Sequence, residues 1–197
     1  MAVSISSKSK FPKVFELKVS LKETSPVVWR TFLVHEIIPL DEIHMLIQMT
    51  MGWDDKQSYE FKFGEKSYGP ADLANDAGFD SDDGVSLLEA MGGSNEFTYI
   101  YDHGDQWEHE VRIAQVLEHN PNITYPVCTG GENACPPEDI GGPSGYAELK
   151  RKLAGETSDK ADSSVEKIEA LKSLGGYFNP FSFDPNFVNR YMLWAED

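Results

Sequence analysis

Residues 97–113, FTYIYDHGDQWEHEVRI, place four aromatic side chains, two histidines and several carboxylates around a single glycine. Successive side chains in a strand point to opposite faces of the sheet, so residues of one parity share a face. The odd-numbered positions of this stretch carry most of the bulky side chains: Phe97, Tyr99, Tyr101, Trp107, His109, Val111 and Ile113. The pattern predicts the two strands of an antiparallel hairpin with one apolar face.

The register of this hairpin depends on the length of its loop. A two-residue turn at Gly104 and Asp105 would place Tyr101 opposite Glu108 and mix aromatic with acidic side chains. An odd-numbered loop centred on Gly104 instead pairs Tyr101 with Trp107 and brings all the bulky residues to one face. Because the burial of one face determines the register, we predict a loop of three or five residues, with Tyr99 opposite His109. Gly104 is predicted to supply a positive φ in that loop.

The segments before the hairpin predict two strands, a helix and a third strand. Residues 14–21 alternate between apolar and polar, and residues 27–34 are apolar on both faces, as expected for a central strand. Residues 40–51 carry an apolar stripe at helical spacing and end at Gly52, and residues 59–63 alternate again. This order predicts an α+β fold: a mixed β-sheet with a β-grasp-like strand–strand–helix–strand start, the long aromatic hairpin and C-terminal helices.

The rest of the chain predicts loops and helices within a single domain that spans residues 1–197. Residues 118–146 are rich in glycine, proline and asparagine and are predicted to be loop. We expect a flexible N-terminus over residues 1–12 and a mobile polar linker over residues 155–163. Three C-terminal helices are predicted, at residues 146–153, 163–176 and 184–193.

The charge of the chain restricts its partners. Its 33 acidic and 17 basic residues give a formal net charge of −16, which repels phosphate backbones and anionic membranes. We therefore expect no binding to duplex DNA. The N-terminus lacks the apolar segment of a signal peptide, and no apolar run approaches the roughly 20 residues of a transmembrane helix. These features predict a soluble, cytoplasmic protein without a membrane partner.

The two histidines of the hairpin stand in different predicted environments. His103 is expected in the loop between Asp102 and Asp105, whereas His109 is expected on the apolar face. Buried polar groups usually have hydrogen-bond partners, so we favour a His109 at the edge of the core that bonds to a tyrosine or a carbonyl. The alternative is a metal ligand or a general base with a shifted pKa. The remaining histidines, at positions 35, 44 and 119, show no comparable grouping in the sequence.

Common catalytic motifs are absent from the sequence, which contains no G-x-S-x-G, G-x-x-x-x-G-K-[ST], H-E-x-x-H or C-x-x-C. We therefore expect no cofactor, with a divalent metal as the alternative. Cys128 and Cys135 are separated by six residues, so a zinc site would also need ligands such as His103 or His109. The carboxylates available to a catalytic metal are Asp102, Asp105, Glu138 and Asp139.

Two polar motifs, YDHGDQW at residues 101–107 and ACPPEDIGGPSGY at residues 134–146, are not explained by strand or helix propensity. Ordering such a loop costs about 1–2 kcal/mol per residue in backbone entropy, so it needs specific anchors. We predict that the second motif folds back over the hairpin end, with the carboxylates of Glu138 and Asp139 near a hairpin histidine. The candidate binding residues are Asp102, His103, Asp105, Trp107, His109, Glu138, Asp139 and Tyr146.

Several motifs together resemble a known family. LKVSLKETSPVVWRTFLV, the helix ending in MGW, YIYDHGDQWEHEV, ACPPEDIGGPSGY and LGGYFNPFSFD follow one another in the order found in the plasmid-borne pRiA4b ORF-three-like family. The resemblance extends from about residue 15 to about residue 192 and implies a compact α+β domain. It implies little about activity, because the biochemistry of the family is largely uncharacterised. Members commonly carry an aromatic residue at the position of His103 and a cysteine at that of Ile140.

The resemblance also brings the label of a resolvase, since some members are passengers of mobile elements. A serine recombinase needs an activated serine among arginines and a basic DNA-binding region, and neither is visible in this sequence. We therefore favour a non-catalytic interaction module whose partner is another protein or a small ligand. The alternative is a metal-dependent hydrolase or a nucleic-acid-processing enzyme of the kind that the resolvase label implies.

Overall fold

The computed structural model describes residues 11–74, 78–155 and 178–194. The strands of this part of the chain are β1 (Val14–Leu21), β2 (Val28–His35), β3 (Tyr59–Phe63), β4 (Lys66–Gly69), β5 (Asp80–Ser81), β6 (Glu96–Tyr101), β7 (Trp107–Leu117) and β8 (Val127–Glu132). The helices are α1 (Leu40–Met51), α2 (Leu87–Met91), α3 (Gly142–Leu153) and α4 (Pro185–Trp194). The strands form one mixed sheet in the order β5-β4-β3-β6-β7-β1-β2-β8, which confirms the predicted α+β class.

Strand β1 lies in the interior of the sheet, between β7 and β2. It pairs antiparallel with β2 and with β7 along its whole length. Its apolar residues Leu17, Val19 and Leu21 are almost completely buried, as their alternation predicts. Strand β2 is also paired on both sides, to β1 and to β8, so its predicted internal position is confirmed.

Helix α1 connects β2 to β3 across the sheet. It buries the apolar stripe predicted from the sequence and ends at Gly52, whose φ of 85° turns the backbone out of the helix. The predicted strand–strand–helix–strand order is confirmed, but the two strands that α1 joins are separated by three others. The parallel pair that makes the sheet mixed is β4 with β5, at one edge.

The register of the β6–β7 hairpin is the predicted one. Tyr99 lies opposite His109, Tyr101 lies opposite Trp107, and a five-residue loop connects the strands. The prediction of a positive φ at Gly104 is wrong, because Asp102 and Gln106 adopt that conformation instead, with φ of 58° and 55°. The Asp102 carboxylate accepts the backbone N–H of Gly104 at 2.8 Å, which forms a side-chain turn at the start of the loop. Aspartate tolerates left-handed backbone better than most residues, so glycine is not required there.

Strand β8 is missing from the sequence prediction, which assigned the whole of residues 118–146 to loop. Local composition is misleading here, because Gly130 and Gly131 occur in a strand for a packing reason. A Cβ on Gly131 would lie 2.5 Å from the Phe183 ring, so only glycine lets the backbone approach that ring. Asn189 holds the other end of the strand, since it accepts the Cys128 N–H and donates to the Cys128 carbonyl, both at 2.8 Å.

Two of the three predicted C-terminal helices lie in the described residues. The helix predicted at residues 146–153 is the later part of α3, which begins earlier, and the helix predicted at 184–193 is α4. The helix predicted at 163–176, most of the linker predicted at 155–163 and most of the flexible N-terminus lie outside the described residues. No helix among the described residues is long and apolar enough to cross a membrane.

Candidate functional site

Three loops meet at the turn end of the β6–β7 hairpin and form what we call the loop junction: residues 53–58, 102–106 and 134–141. The backbone N–H of Asp54 donates to the Glu138 carboxylate at 2.7 Å. The backbone N–H of Gly141 donates to the Asp105 carboxylate at 3.0 Å. The predicted folding of residues 134–146 over the hairpin end is therefore confirmed.

The hydrogen bonds that hold the Glu138 carboxylate in the loop junction come from a tyrosine and a backbone N–H, not from the hairpin histidines. It accepts from the Tyr101 hydroxyl at 3.1 Å as well as from Asp54. The same hydroxyl accepts the backbone N–H groups of Lys56 and Gln57, at 3.1 and 3.4 Å. Burial raises the pKa of Tyr101, so the hydroxyl keeps the proton that it donates. Glu138 thus joins two loops to the hairpin, which is a structural role.

Half of the predicted binding residues are buried and support the fold. Trp107 is in the core, Asp102 forms the turn at the hairpin loop, and the Tyr146 hydroxyl donates to the Ala134 carbonyl at 3.0 Å. His109 is the fourth buried member. The members that reach solvent are His103, Asp105, Glu138 and Asp139.

His109 is a core histidine, as the favoured interpretation predicted. Its side chain is 0% exposed, and Nδ1–H donates to the Tyr99 carbonyl at 3.3 Å. Burial lowers the pKa of His109 to about 4, although its backbone hydrogen bonds oppose the shift, so the ring is neutral at physiological pH. Its Nε2 has no hydrogen-bond partner among the described residues. The Trp53 ring packs edge-on against it at 5.4 Å between centroids.

His103 lies at the surface of the loop junction beside a serine. Its Nδ1 is 2.8 Å from the Ser58 hydroxyl oxygen, and its Nε2 is 3.7 Å from the Glu60 carboxylate. A serine nucleophile needs a histidine base that a third group orients through a hydrogen bond. The distance of 3.7 Å is too long for that hydrogen bond, so Glu60 does not orient the ring.

The proposed metal ligands do not come together in the structure. The described residues contain no group of three or more histidine, cysteine, aspartate or glutamate side chains that could hold a metal ion. Cys128 and Cys135 are both buried, and burial raises the pKa of both thiols. Metal ligation uses the thiolate, which such an environment disfavours. The described residues therefore provide no support for the zinc site.

A hydrogen-bonded ring that the sequence interpretation missed lies beneath α1. The Asp55 N–H donates to the Gln48 side-chain oxygen at 3.1 Å, and the Gln48 amide donates to the Tyr99 hydroxyl at 3.0 Å. The Tyr99 hydroxyl is 2.8 Å from His44 Nδ1, and His44 Nε2 is 2.8 Å from the Asp55 carboxylate. Four residues thus form a closed ring that connects α1, β6 and the loop after α1.

One tautomer of His44 satisfies every member of this ring. The Gln48 amide already donates to the Tyr99 hydroxyl, so the hydroxyl gives its own proton to His44 Nδ1. His44 Nε2–H then donates to Asp55. Burial lowers the pKa of His44, although Asp55 opposes the shift, and burial raises the pKa of Tyr99. Both groups therefore hold the protonation states that the ring requires.

The sequence contained a weak signal of this ring. His44 and Gln48 are four residues apart and so lie on one face of α1, next to the apolar stripe. Two polar side chains at that spacing on a buried face indicate a shared partner. The partner itself was not accessible to sequence reasoning, because Tyr99 is 55 residues away from His44 in the chain.

An open cleft of about 620 Å³ lies beside α1, and we call it the α1 cleft. His44, Asp55 and Tyr59 line one part of it, and the His44 and Tyr59 rings stack at 3.6 Å between centroids. The Tyr59 hydroxyl donates to the Asp82 carboxylate at 2.6 Å, which holds the ring in place. The remaining lining residues are Ile38, Asp41, Glu42, Met45, Leu46, Met49, Pro126 and Met192.

A second group of histidines, also missed in the sequence, is formed by His35 and His119. The His35 and His119 rings stack at 5.3 Å between centroids, and both contact Tyr125. Phe11 stacks on His119 at 4.4 Å. Burial and the neighbouring His119 lower the pKa of His35. This cluster joins the segment before β1 to the segment after β7 and provides two imidazoles, fewer than a metal site normally uses.

The sequence model of a family described as Plasmid pRiA4b ORF-3-like protein matches residues 13–190 of the chain. The chain belongs to this family. Within it, the chain is 35% identical over 156 residues to the uncharacterised protein y4hQ of Sinorhizobium fredii (strain NBRC 101917 / NGR234), covering 78% of this chain and 79% of that protein.

A solved structure shares both the fold and part of the sequence of this pRiA4b ORF-3-like chain. It is the crystal structure of a protein of unknown function, MM3350, from Methanosarcina mazei Go1. The two agree with a TM-score of 0.75 and 31% identity over 90% of this chain and 98% of that one. Neither relative is described by an activity, so the function has to be argued from the geometry of the site.

Proposed function

We propose that this protein is a non-catalytic interaction module that binds a partner protein in the α1 cleft. The observation that carries the proposal is the cleft itself, an open concave surface of about 620 Å³ that leaves the apolar side chain of Met45 43% exposed. A concave surface that leaves apolar side chains exposed beside a few fixed polar groups is typical of a site that binds another molecule.

The polar groups at the α1 cleft are suited to a rigid surface and poorly suited to acid–base catalysis. Both ring nitrogens of His44 are engaged in hydrogen bonds, and the Tyr99 hydroxyl is completely buried. A general base must have a nitrogen or oxygen within hydrogen-bond reach of the substrate proton. The ring of hydrogen bonds leaves no such atom on His44, and it holds Asp55 at the edge of the cleft.

The apolar side of the α1 cleft has an adaptable composition. Three methionines line it, at positions 45, 49 and 192. The unbranched, polarizable side chain of methionine adjusts its shape to different apolar partners and recurs on surfaces that bind protein segments. Isoleucine, leucine and proline complete this side, so a partner side chain would lose water contact on several sides at once.

A peptide-display selection tests the proposal. Immobilised protein is used to select from a random twelve-residue peptide library, and the enriched peptides are measured by fluorescence anisotropy. Met45→Glu is expected to weaken their binding at least tenfold, because it places a charge among the apolar contacts. Leu88→Glu is the matched control, because Leu88 is similarly exposed, at 45%, and does not line the cleft.

The two variants also define the result that would contradict the proposal. Thermal unfolding first shows that both variants fold as the wild type does. If no library peptide binds the wild type, or if Leu88→Glu weakens binding as much as Met45→Glu, the α1 cleft is not a protein-binding site.

A further inference from the structure

We infer that the segment bound in the α1 cleft carries lysine or arginine beside bulky apolar residues. This inference rests on the proposed function and adds the chemistry of the partner. It follows from the composition of the cleft, whose lining combines three carboxylates with three methionines.

The charged side chains that line the cleft are all acids. Asp41, Glu42 and Asp55 line it, and none of its described lining residues is a lysine or an arginine. Asp41 and Asp55 both contribute to raising the pKa of Tyr59, after the larger effect of burial, so both carboxylates act on the same wall of the cleft. His44, between them, is neutral in the hydrogen-bonded ring and does not offset their charge.

The long-range field of the molecule favours the same kind of ligand. The net charge is −16, so a cationic segment is attracted before contact and an anionic segment is repelled. The local and the overall charge thus agree in sign.

The geometry of the cleft fits the shape of a long basic side chain. Lysine and arginine lay their aliphatic stems on apolar surface while the charged head stays with polar groups or water. Here the stem can lie along Met45 and Met49 while the head reaches the carboxylates of Asp41 or Asp55. An adjacent leucine or phenylalanine of the same segment would fill the space beside Met192 and Pro126.

The exposure of the surrounding residues favours a protein segment over a small molecule. Asp41, Glu42 and Met45 all remain exposed, so the cleft is open along one side. Small-molecule sites normally enclose most of the surface of their ligand. A peptide chain can continue beyond an open cleft in both directions, which makes it the better occupant here.

Three synthetic twelve-residue peptides test the inference. They have leucine at the same positions, and the remaining positions are all lysine in one peptide, all glutamine in the second and all glutamate in the third. Binding to the full chain is followed by fluorescence anisotropy at low and high salt. The lysine peptide is expected to bind at least tenfold tighter than the glutamine peptide at low salt and to lose most of this advantage at high salt. Asp41→Asn is expected to weaken the lysine peptide about threefold to tenfold, corresponding to about 0.7 to 1.4 kcal/mol.

Asp83→Asn is the control, because it removes the same charge from an exposed aspartate that does not line the cleft. Equal effects of Asp41→Asn and Asp83→Asn would show that only net charge matters, which would overturn the inference. Equal binding of the lysine and glutamine peptides, or preferred binding of the glutamate peptide, would also overturn the inference. The same holds if octylammonium binds as tightly as the lysine peptide.

The failure of the proposed function itself gives a different result. If none of the three peptides is affected by Met45→Glu, the cleft is not the binding site, whatever the charge preference. The occupant would be a second copy of the chain if the protein self-associates, Met45→Glu abolishes this self-association and the peptides do not compete with it. That result overturns the inference as well.

Discussion

Some buried polar residues of this protein bond to backbone groups rather than to an opposite charge. Arg30 is the clearest case, since it is 1% exposed and stacks on the Phe183 ring at 3.8 Å. Its guanidinium donates to the carbonyls of Trp29, Thr50 and Glu132 at 2.8 to 3.0 Å. A buried cation held in this way disfavours a second positive charge nearby. Arg30 accordingly adds to the lowering of the His109 pKa.

At the residue scale we predict that His109→Leu flattens the pH dependence of stability. Folded His109 has a pKa of about 4, against 6.5 when exposed, so between these values only the unfolded chain takes up the proton. Stability from this group is complete above pH 6.5 and falls as the pH drops towards 4, by on the order of 3 kcal/mol. Urea unfolding at pH 7 and pH 5 measures the effect.

The variant and its control separate titration from packing. At pH 7 His109→Leu is expected to cost about 1–3 kcal/mol, because the Tyr99 carbonyl loses its donor. At pH 5 the difference from wild type is expected to be smaller. His103→Leu, at a side chain that is 43% exposed, should retain the pH dependence of the wild type. Parallel pH curves for wild type and His109→Leu would contradict a neutral buried His109.

Among the elements, helix α3 depends on a close approach of backbone to backbone at its start. Gly145 lies so near the preceding loop that a Cβ would fall 1.9 Å from the Ile140 carbonyl oxygen. A Cβ on Gly142 would likewise fall 2.5 Å from the Asp105 carbonyl oxygen, and Gly142 has a φ of 67°. The two glycines therefore let the loop at residues 134–141 pack against the hairpin end while the helix begins.

At the element scale we predict that Gly145→Ala destabilises the protein by about 1–3 kcal/mol, because the start of α3 must move away from Ile140. Gly104→Ala is the matched control in the hairpin loop. Its φ is not positive, and the nearest atom to a Cβ is a side-chain oxygen of Asp102 at 3.1 Å. We expect its cost to stay below about 1 kcal/mol in urea unfolding. A larger cost for Gly104→Ala than for Gly145→Ala would contradict both assignments.

For the whole molecule, charge decides which large partners are compatible. The net charge of −16 is distributed without a cluster of basic residues dense enough to bind phosphates. The longest basic run, residues 150–152, lies in the last turn of α3, where one lysine already bonds to the Ser25 carbonyl and Arg151 pairs with Glu148. Positive charge at a helix C-terminus also compensates the helix dipole, which is a structural role.

At the scale of the whole molecule we predict no appreciable affinity for duplex DNA at roughly 0.15 M salt, since a phosphate backbone would meet net repulsion. Fluorescence anisotropy with a labelled random-sequence duplex checks this, and the lysine peptide provides the positive control for an active protein sample. A complex at micromolar or lower concentration whose affinity falls steeply with salt would contradict the prediction.

The sequence by itself determined the periodic features of the fold. Alternation gave the strands β1, β3, β6 and β7 and the register of the hairpin, and the apolar stripe with Gly52 gave the extent of α1. It also indicated that His109 is a core residue and that residues 134–146 cover the hairpin end. These features were accessible because burial of one face leaves a repeat in the local sequence.

Only the tertiary structure decided which polar atoms bond to one another and where glycine is needed. His44 reaches Tyr99 across 55 residues, Gly131 is needed in β8 because Phe183 packs against it, and Asp102 rather than Gly104 takes the left-handed conformation. No local pattern records these contacts, because each partner comes from a distant segment that folding brings within hydrogen-bond or van der Waals distance. The α1 cleft belongs to the same class, since its walls come from residues 38–59, Pro126 and Met192 and exist only when the sheet and helices have packed.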